Sequence, residues 1–484
     1  MGKTITRKTT DGLLWNALQK FVSKGLQFLF SILIARILNP EQYGLIAIAN
    51  LFISLSDVLI DSGFSKALLR KETKSSEEFS TVFWFNLAVS CFLYLILFAS
   101  APFISRFYNS ELLIPIIRVV SISLIINALC GIQSLRLVAF MDFRRLAILE
   151  STAMLLGGIA GLVAALQGAG VWALVIQTMV GCTLRTLLFW VFSNWKPTFA
   201  FSVPVFKDFF AFGSRLLISE FAGRAYGAVF TSTIGKCFAP DQLGLYGKAD
   251  AFASTPSSVI TGPLSSVTFP AIAEIQNEEE RMEKNFFSMF ELSSFVVFPI
   301  FLGIAAVAKE IVPVFLTEKW NGMIPYLQIL SVSYLLYALT VIPQNYLLIF
   351  GESKLILKIQ IITKVIGLAL LFPLSRVSLV AICFDILLVS LFTFCLTLWY
   401  LKAKTGYKIS KVLHSLLPSF SSAVIMAAIV VILAHMISNE YIGLLLCVIA
   451  GIAVYALLSW FYNRKQLENL WLILYPYLPK RVTS

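Results

Sequence analysis

The sequence predicts an all-α polytopic membrane protein made of two six-helix lobes and two further C-terminal helices, and three observations predict it. Of its 484 residues, 58% are hydrophobic and only 13% charged, with a mean hydropathy of +0.85, which is more apolar surface than a water-soluble domain can bury. The apolar residues gather into about fourteen runs, each near the ~20 residues a helix needs to cross ~30 Å of hydrocarbon. Finally, the stretch ARILNPEQYGLIAIANLF at residues 35–52 returns at an offset of 200 as GKCFAPDQLGLYGKADAF at residues 235–252.

The first six spans are expected over residues 13–37, 43–64, 81–105, 114–138, 148–168 and 171–193. The second six follow at 209–235, 251–275, 289–311, 326–349, 359–375 and 378–402, and the last pair at 413–437 and 442–463. Continuous apolar runs such as LAVSCFLYLILFASAPF, without the period-two alternation of a membrane barrel, make these spans helices. Spans 1 and 2 are parted at Asn39-Pro40, because proline cannot continue a helix interior, asparagine beside it favours a turn, and Gly44 follows where the chain re-enters a helix.

Lysine and arginine concentrate in the N-terminal tail, the even-numbered loops and the C-terminal tail, which predicts that both termini are cytoplasmic. The net charge of +12 is then explained by topology and anionic lipid rather than by nucleic acid, which is not expected as a partner. MGKTIT fits the myristoylation pattern, yet a chain held by fourteen helices gains nothing from one reversible acyl group, and no signal peptide is expected ahead of the first span. The seven cysteines show no CxxC spacing and fall mainly within spans, while His414 and His435 lie far apart, so neither a disulfide nor a metal site is expected.

The repeat matches Arg36 with Lys236, Pro40 with Pro240, Glu41 with Asp241, Gln42 with Gln242, Gly44 with Gly244, Leu45 with Leu245, Ala49 with Ala249 and Phe52 with Phe252. Its copies lie at the hairpins between spans 1 and 2 and between spans 7 and 8, so the duplicated unit has six spans and both copies enter the membrane in the same sense. The expected organisation is an N-lobe at 1–208, a C-lobe at 209–402, and two added helices with a tail at 403–484. A parallel duplication of this kind permits alternating access around a central cavity.

Loop length excludes whole classes of function. The longest extramembrane segments, SKALLRKETKSSEEFS, the loop around QNEEERMEKNFFS and the C-terminal tail, are too short to fold as catalytic domains. There is no GxxxxGK[ST] loop, and no carboxylate pair or Ser/His arrangement converges in one aqueous loop, so an enzyme is not expected.

Charges inside the spans are the informative minority, since a lysine at mid-span costs ~2.5–3.5 kcal/mol on insertion scales and usually faces a cavity or a partner. Lys20 and Lys24 stand at i and i+4 on span 1, hence on one face, roughly 10 Å and roughly 16 Å inside its expected start. The repeat places Glu220 and Arg224 at the equivalent positions of span 7. Arg215, on the opposite face near the edge, reads as an interfacial anchor. Arg185 in span 6, Lys364 in span 11, Asp385 in span 12, and Asp57 with Asp61 in span 2 complete the set. Two cations facing one cavity repel unless an anion separates them, by ~4 kcal/mol at 4 Å and an effective dielectric of about 20, and a diphosphate would supply that anion. For each residue the plain structural alternative is an interhelical ion pair, and Asp57 and Asp61 can equally answer the adjacent SKALLRK.

With these residues in view, ARILNPEQYGL (35–45), GFSKALLRKE (63–72), FPAIAEIQNEEERMEKNF (269–286) and FLTEKWNGMIPYLQIL (315–330) make the chain resemble the polysaccharide transporter family of the multidrug/oligosaccharidyl-lipid/polysaccharide exporter superfamily, close to the flippases for colanic-acid and O-antigen type units. The resemblance covers essentially the whole chain and implies that superfamily's fold in the bacterial cytoplasmic membrane. It implies a flippase that takes an undecaprenyl-diphosphate-linked oligosaccharide from the cytoplasmic to the outer leaflet for capsule, O-antigen or exopolysaccharide synthesis. The basic cavity role passes to Lys20, Lys24 and Arg224, with Arg185 and Lys364 beside them; Glu220 would hold Arg224 or carry a coupling ion, and Asp57, Asp61 and Asp385 would be charge partners or bind a coupling proton or sodium. No other cofactor is implied, and the partners are the lipid-linked glycan, membrane lipids and glycan polymerase machinery.

A dianionic head leaving a negative cytoplasm gains about 4.6 kcal/mol per 100 mV, so this term alone does not require ion coupling. Two rival readings stay open: a multidrug/cation antiporter of the same superfamily, for which cations on the first helix of each lobe have the wrong sign, and a non-transporting scaffold for glycan assembly.

Overall fold

The computed structural model describes residues 22–468 apart from 62, 72, 73, 276, 277, 438 and 465, and among these residues it is helical without a strand. The first helix, α1, is described over residues 22–37. It is followed by α2 Pro40–Asp61, α3 Phe64–Arg70, α4 Ser76–Tyr108, α5 Leu113–Val120, α6 Ile122–Ala139, α7 Phe143–Leu166, α8 Val171–Val191 and α9 Val203–Cys237. Then come α10 Pro240–Glu274, α11 Glu279–Ala306, α12 Ala308–Phe315, a 3₁₀ turn at Glu318–Met323, α13 Ile324–Ile349, α14 Ser353–Leu374, α15 Leu379–Thr405, α16 Ile409–Met436 and α17 Glu440–Tyr462.

Eleven candidate spans among the described residues are long and apolar enough to cross a membrane, each coinciding with one of the fourteen expected, and the chain is a multi-pass membrane protein. The other three expected spans correspond to α1, described only from residue 22, and to the more polar 35-residue helices α9 and α10. Span 4 is divided at Ser121, whose hydroxyl donates at 2.6 Å to the Ile117 carbonyl that also accepts from the Ser121 amide at 2.9 Å. The residues expected to finish span 9 instead begin the short α12 after Val307.

The repeated hairpin repeats in three dimensions. The Leu38 amide donates to Ile34 at 2.9 Å and the Gln42 amide to Asn39 at 3.2 Å; two hundred residues on, Phe238 donates to Ile234 at 2.9 Å and Gln242 to Ala239 at 3.0 Å. In both copies proline occupies the first helical position, where its missing N–H costs no helical bond.

The chain divides into two compact units, Met1–Leu245 and Tyr246–Ser484. In the first, α9 packs on α2, α3 and α4, and α7 packs along α8 so closely that a β-carbon on Gly157 would lie 2.7 Å from the Gly181 Cα. Gly63 opens α3 at φ 72°, and a β-carbon there would meet the Gly213 carbonyl oxygen at 2.9 Å, so glycine is required twice over. Beyond it Phe64 is buried among Phe85, Phe206 and Phe209. The segment between α8 and α9 is fastened along the start of α4: Trp195 Nε1 donates to the Ser76 hydroxyl at 3.0 Å, and the amides of Thr198 and Ser202 donate to Ser80 Oγ at 3.0 Å and Thr81 Oγ1 at 3.1 Å.

The second unit is built around α13, which packs against α11 and α15. Phe286 stacks on Phe290 at 5.5 Å and meets Tyr346 edge-on at 5.0 Å, while the Tyr346 hydroxyl donates to Asn285 Oδ1 at 3.1 Å. Within the motif FLTEKWNGMIPYLQIL, Glu318–Met323 fold as the 3₁₀ turn that buries Trp320 and Met323 completely, and the residues after it continue into α13.

Candidate functional site

Lys24 is exposed on α1, and Arg224 is exposed at the equivalent position of α9. Neither forms an ion pair within 4.0 Å among the described residues, so each keeps its charge available to a ligand. The Arg224 guanidinium acts electrostatically on Asp57, which is exposed on α2. Lys20 lies outside the described residues, as does everything before residue 22.

Glu220 does not hold Arg224, as the sequence suggested; its carboxylate accepts from the Lys66 ammonium on α3. The reason is tertiary, because the Gly63 turn folds α3 back onto α9 and delivers Lys66 beside Glu220. The same motif carries Arg70, whose guanidinium lies 4.3 Å over the Phe212 ring, and Lys71, which pairs with Glu78 at 2.7 Å and lies 3.6 Å from Asp208. Glu78, in the capping box that starts α4, holds the Lys71 ammonium above the usual lysine range by accepting its hydrogen bond. Lys66, Arg70 and Lys71 thus form a basic clasp joining α3, α4 and α9. Asp61 sits at its edge and accepts from the Ser65 hydroxyl, a local partner of the kind the sequence left open.

Arg185 is not a free cavity cation, since its Nη2 donates to the Glu150 carboxylate at 3.0 Å. The pair lies in the wall of a cavity of about 590 Å³ formed by α1, α2, α6, α7 and α8 within the first unit. Gln27 and Ser31 of α1 line that cavity, and they share with Lys24 the i, i+3, i+7 stripe of one helix face.

In the second unit Lys364 is half-buried on α14. Asp385 is fully buried on α15, and neither carboxylate oxygen has a hydrogen-bond partner among the described residues. Sequence reasoning missed Lys248 and Asp250 by starting the eighth span at 251; α10 begins at Pro240 and carries both inward. Lys248 is only 4% exposed, with its ammonium 5.8 Å from the centre of the Trp320 ring, and Asp250 accepts from the Tyr334 hydroxyl at 2.8 Å. Glu150 was missed because it stands at the edge of its span, and only the α7–α8 packing brings it to Arg185.

This all-helical fold has solved counterparts. The lipid II flippase MurJ in an inward closed conformation superposes with a TM-score of 0.76 over 94% of this chain and 100% of that one, at 14% identity. A model of the polysaccharide biosynthesis protein family matches residues 33–325, and the chain belongs to that family. It is 26% identical over 336 residues to the lipopolysaccharide biosynthesis protein WzxC of Escherichia coli (strain K12), covering 68% of this chain and 67% of that protein. It is 23% identical over 422 residues to the teichuronic acid biosynthesis protein TuaB of Bacillus subtilis (strain 168), covering 86% and 87% of the two.

Proposed function

We propose that this chain is a flippase that moves undecaprenyl-diphosphate-linked oligosaccharide units from the cytoplasmic to the outer leaflet of the bacterial cytoplasmic membrane by alternating access, without covalent chemistry. The observation that carries the reading is the pair Lys24 and Arg224: cations at duplicated positions of an apolar chain, both exposed and neither ion-paired among the described residues. A charge kept at that cost needs a partner, and a lipid diphosphate supplies two negative charges with the geometry to meet a guanidinium and an ammonium. Family membership and the flippase-like fold support the same cargo class.

In this reading Lys20, Lys24 and Arg224 hold the diphosphate, and Asp57 shares the field of Arg224. Asp385, a buried carboxylate without a hydrogen-bond partner among the described residues, is the candidate for a coupling proton or sodium. In this reading both termini lie in the cytoplasm, the duplicated repeats are residues 1–208 and 209–402 with 403–484 added, and the product passes to glycan polymerase machinery.

The test is reconstitution of the purified chain in sealed vesicles, with a lipid-linked glycan presented on one leaflet. The expected result is its appearance on the other leaflet, with no efflux of cationic dyes. Dye efflux without glycan movement would replace this reading with that of a multidrug carrier, and neither activity would leave a scaffold.

A further inference from the structure

The cavity of about 590 Å³ inside the first unit has a chemistry that differs from the cationic residues above. Among the described residues its charged lining residues are Arg185 and Glu150, which pair with each other at 3.0 Å. Four carboxamides converge on it from four helices: Gln27 of α1, Asn50 of α2, Asn127 of α6 and Gln177 of α8. The structure shows no side-chain hydrogen bond for any of the four among the described residues. The Nε–H of Arg185 is likewise buried without a partner.

Each carboxamide offers two donors and an acceptor, and a membrane protein retains such groups inside a span only when something satisfies them. Apolar surface lines the same cavity, with the Phe30 ring lying so close over Gly158 that a β-carbon there would be 2.3 Å from it. Carboxamide donors and acceptors together with an aromatic ring in one cavity match a pyranose ring, whose hydroxyls both donate and accept and whose C–H face is apolar. Among the described lining residues the charges balance, which favours a neutral ligand over a diphosphate, and the carboxamides favour a sugar over an acyl chain. The volume falls within the ~300–1,000 Å³ usual for small-molecule sites.

We propose that this cavity is a neutral-sugar subsite that reads a pyranose of the glycan head. The proposal rests on the transport reading and deepens it: charge elsewhere holds the diphosphate, while this cavity distinguishes the sugar. It also reassigns Arg185 from anion binding to hydrogen bonding.

The experiment measures binding of two probes to the full chain in nanodiscs, undecaprenyl diphosphate without sugar and undecaprenyl diphosphate carrying a neutral disaccharide. The wild-type protein is expected to prefer the glycosylated probe by about tenfold or more, the scale of two or three net hydrogen bonds. Asn50→Leu and Gln177→Leu should each reduce that preference severalfold and together abolish it, with affinity for the bare lipid unchanged and Asn50→Gln restoring part of the preference. The bare lipid is also the folding control, so a variant that binds neither probe is replaced by the single substitution that does. A preference that survives both substitutions, or a wild-type protein that binds the two probes equally, overturns the sugar subsite while leaving the flippase reading in place. A wild-type protein that binds neither probe overturns the flippase reading and the subsite with it.

Discussion

Gly44 and Gly244 are set reciprocally: a β-carbon on Gly44 would lie 1.8 Å from the carbonyl oxygen of Pro240, and one on Gly244 would lie 1.8 Å from the carbonyl oxygen of Pro40. The two copies of the repeated motif therefore touch through the residues that the repeat aligns. Replacement of either glycine by alanine forces backbone from backbone, and the expected cost is about 1–3 kcal/mol or more, as for overpacked cores. Gly131→Ala, with no heavy atom within 4 Å of the new methyl, is the control. Thermal unfolding in detergent checks it; an unchanged midpoint for both Gly44→Ala and Gly244→Ala refutes the contact.

Lys24→Ala and Arg224→Ala should each lower glycan transport roughly 10- to 100-fold, the worth of one charge-assisted hydrogen bond of about 1.5–3 kcal/mol. Protein level should not change, because neither side chain forms an ion pair within the described fold. Initial rates of leaflet transfer in vesicles, normalised to reconstituted protein, make the measurement.

Lys66 and Glu220 form an exposed pair, with 55% and 43% of the side chains accessible, so breaking it should cost no more than about 1 kcal/mol. Lys66→Glu should still impair transport by setting like charges at the α3–α9 contact, and the exchange Lys66→Glu/Glu220→Lys should recover it. A double variant as poor as the single one would show that the pairing is incidental.

Asp385→Asn keeps the side chain's shape and removes a buried titratable carboxyl group that lacks a hydrogen-bond partner among the described residues. The variant should be at least as stable as the parent, since an unpaired buried carboxylate is costly. Transport should become insensitive to imposed proton and sodium gradients. A variant whose gradient response matches the parent's removes Asp385 from the coupling role.

Lys71 is held above its ordinary value of 10.5, first through the hydrogen bond to Glu78. A raised folded value means that its contribution to stability is fully present below pH 10.5 and is lost only as pH rises through the folded value. Stability measured from pH 6 to 9 should therefore show no step that Lys71→Met abolishes, whereas above pH 10.5 the parent should lose stability more steeply than Lys71→Met.

The amino-acid sequence alone determined the class of the molecule. Span length and hydropathy are one-dimensional properties, because a helix in lipid satisfies its own backbone and needs only enough apolar residues in a row. The hairpin turns were equally legible, since proline and glycine act on the backbone within a few residues of themselves, and the repeat at offset 200 announced the duplication. Tertiary structure decided which charges have partners. Lys66 with Glu220, Arg185 with Glu150 and Tyr334 with Asp250 lie 154, 35 and 84 residues apart, and only helix packing brings them together. For the same reason spacing proposed Glu220 as the partner of Arg224 on one helix face, while the left-handed turn at Gly63 folded α3 back and gave that carboxylate to Lys66 instead.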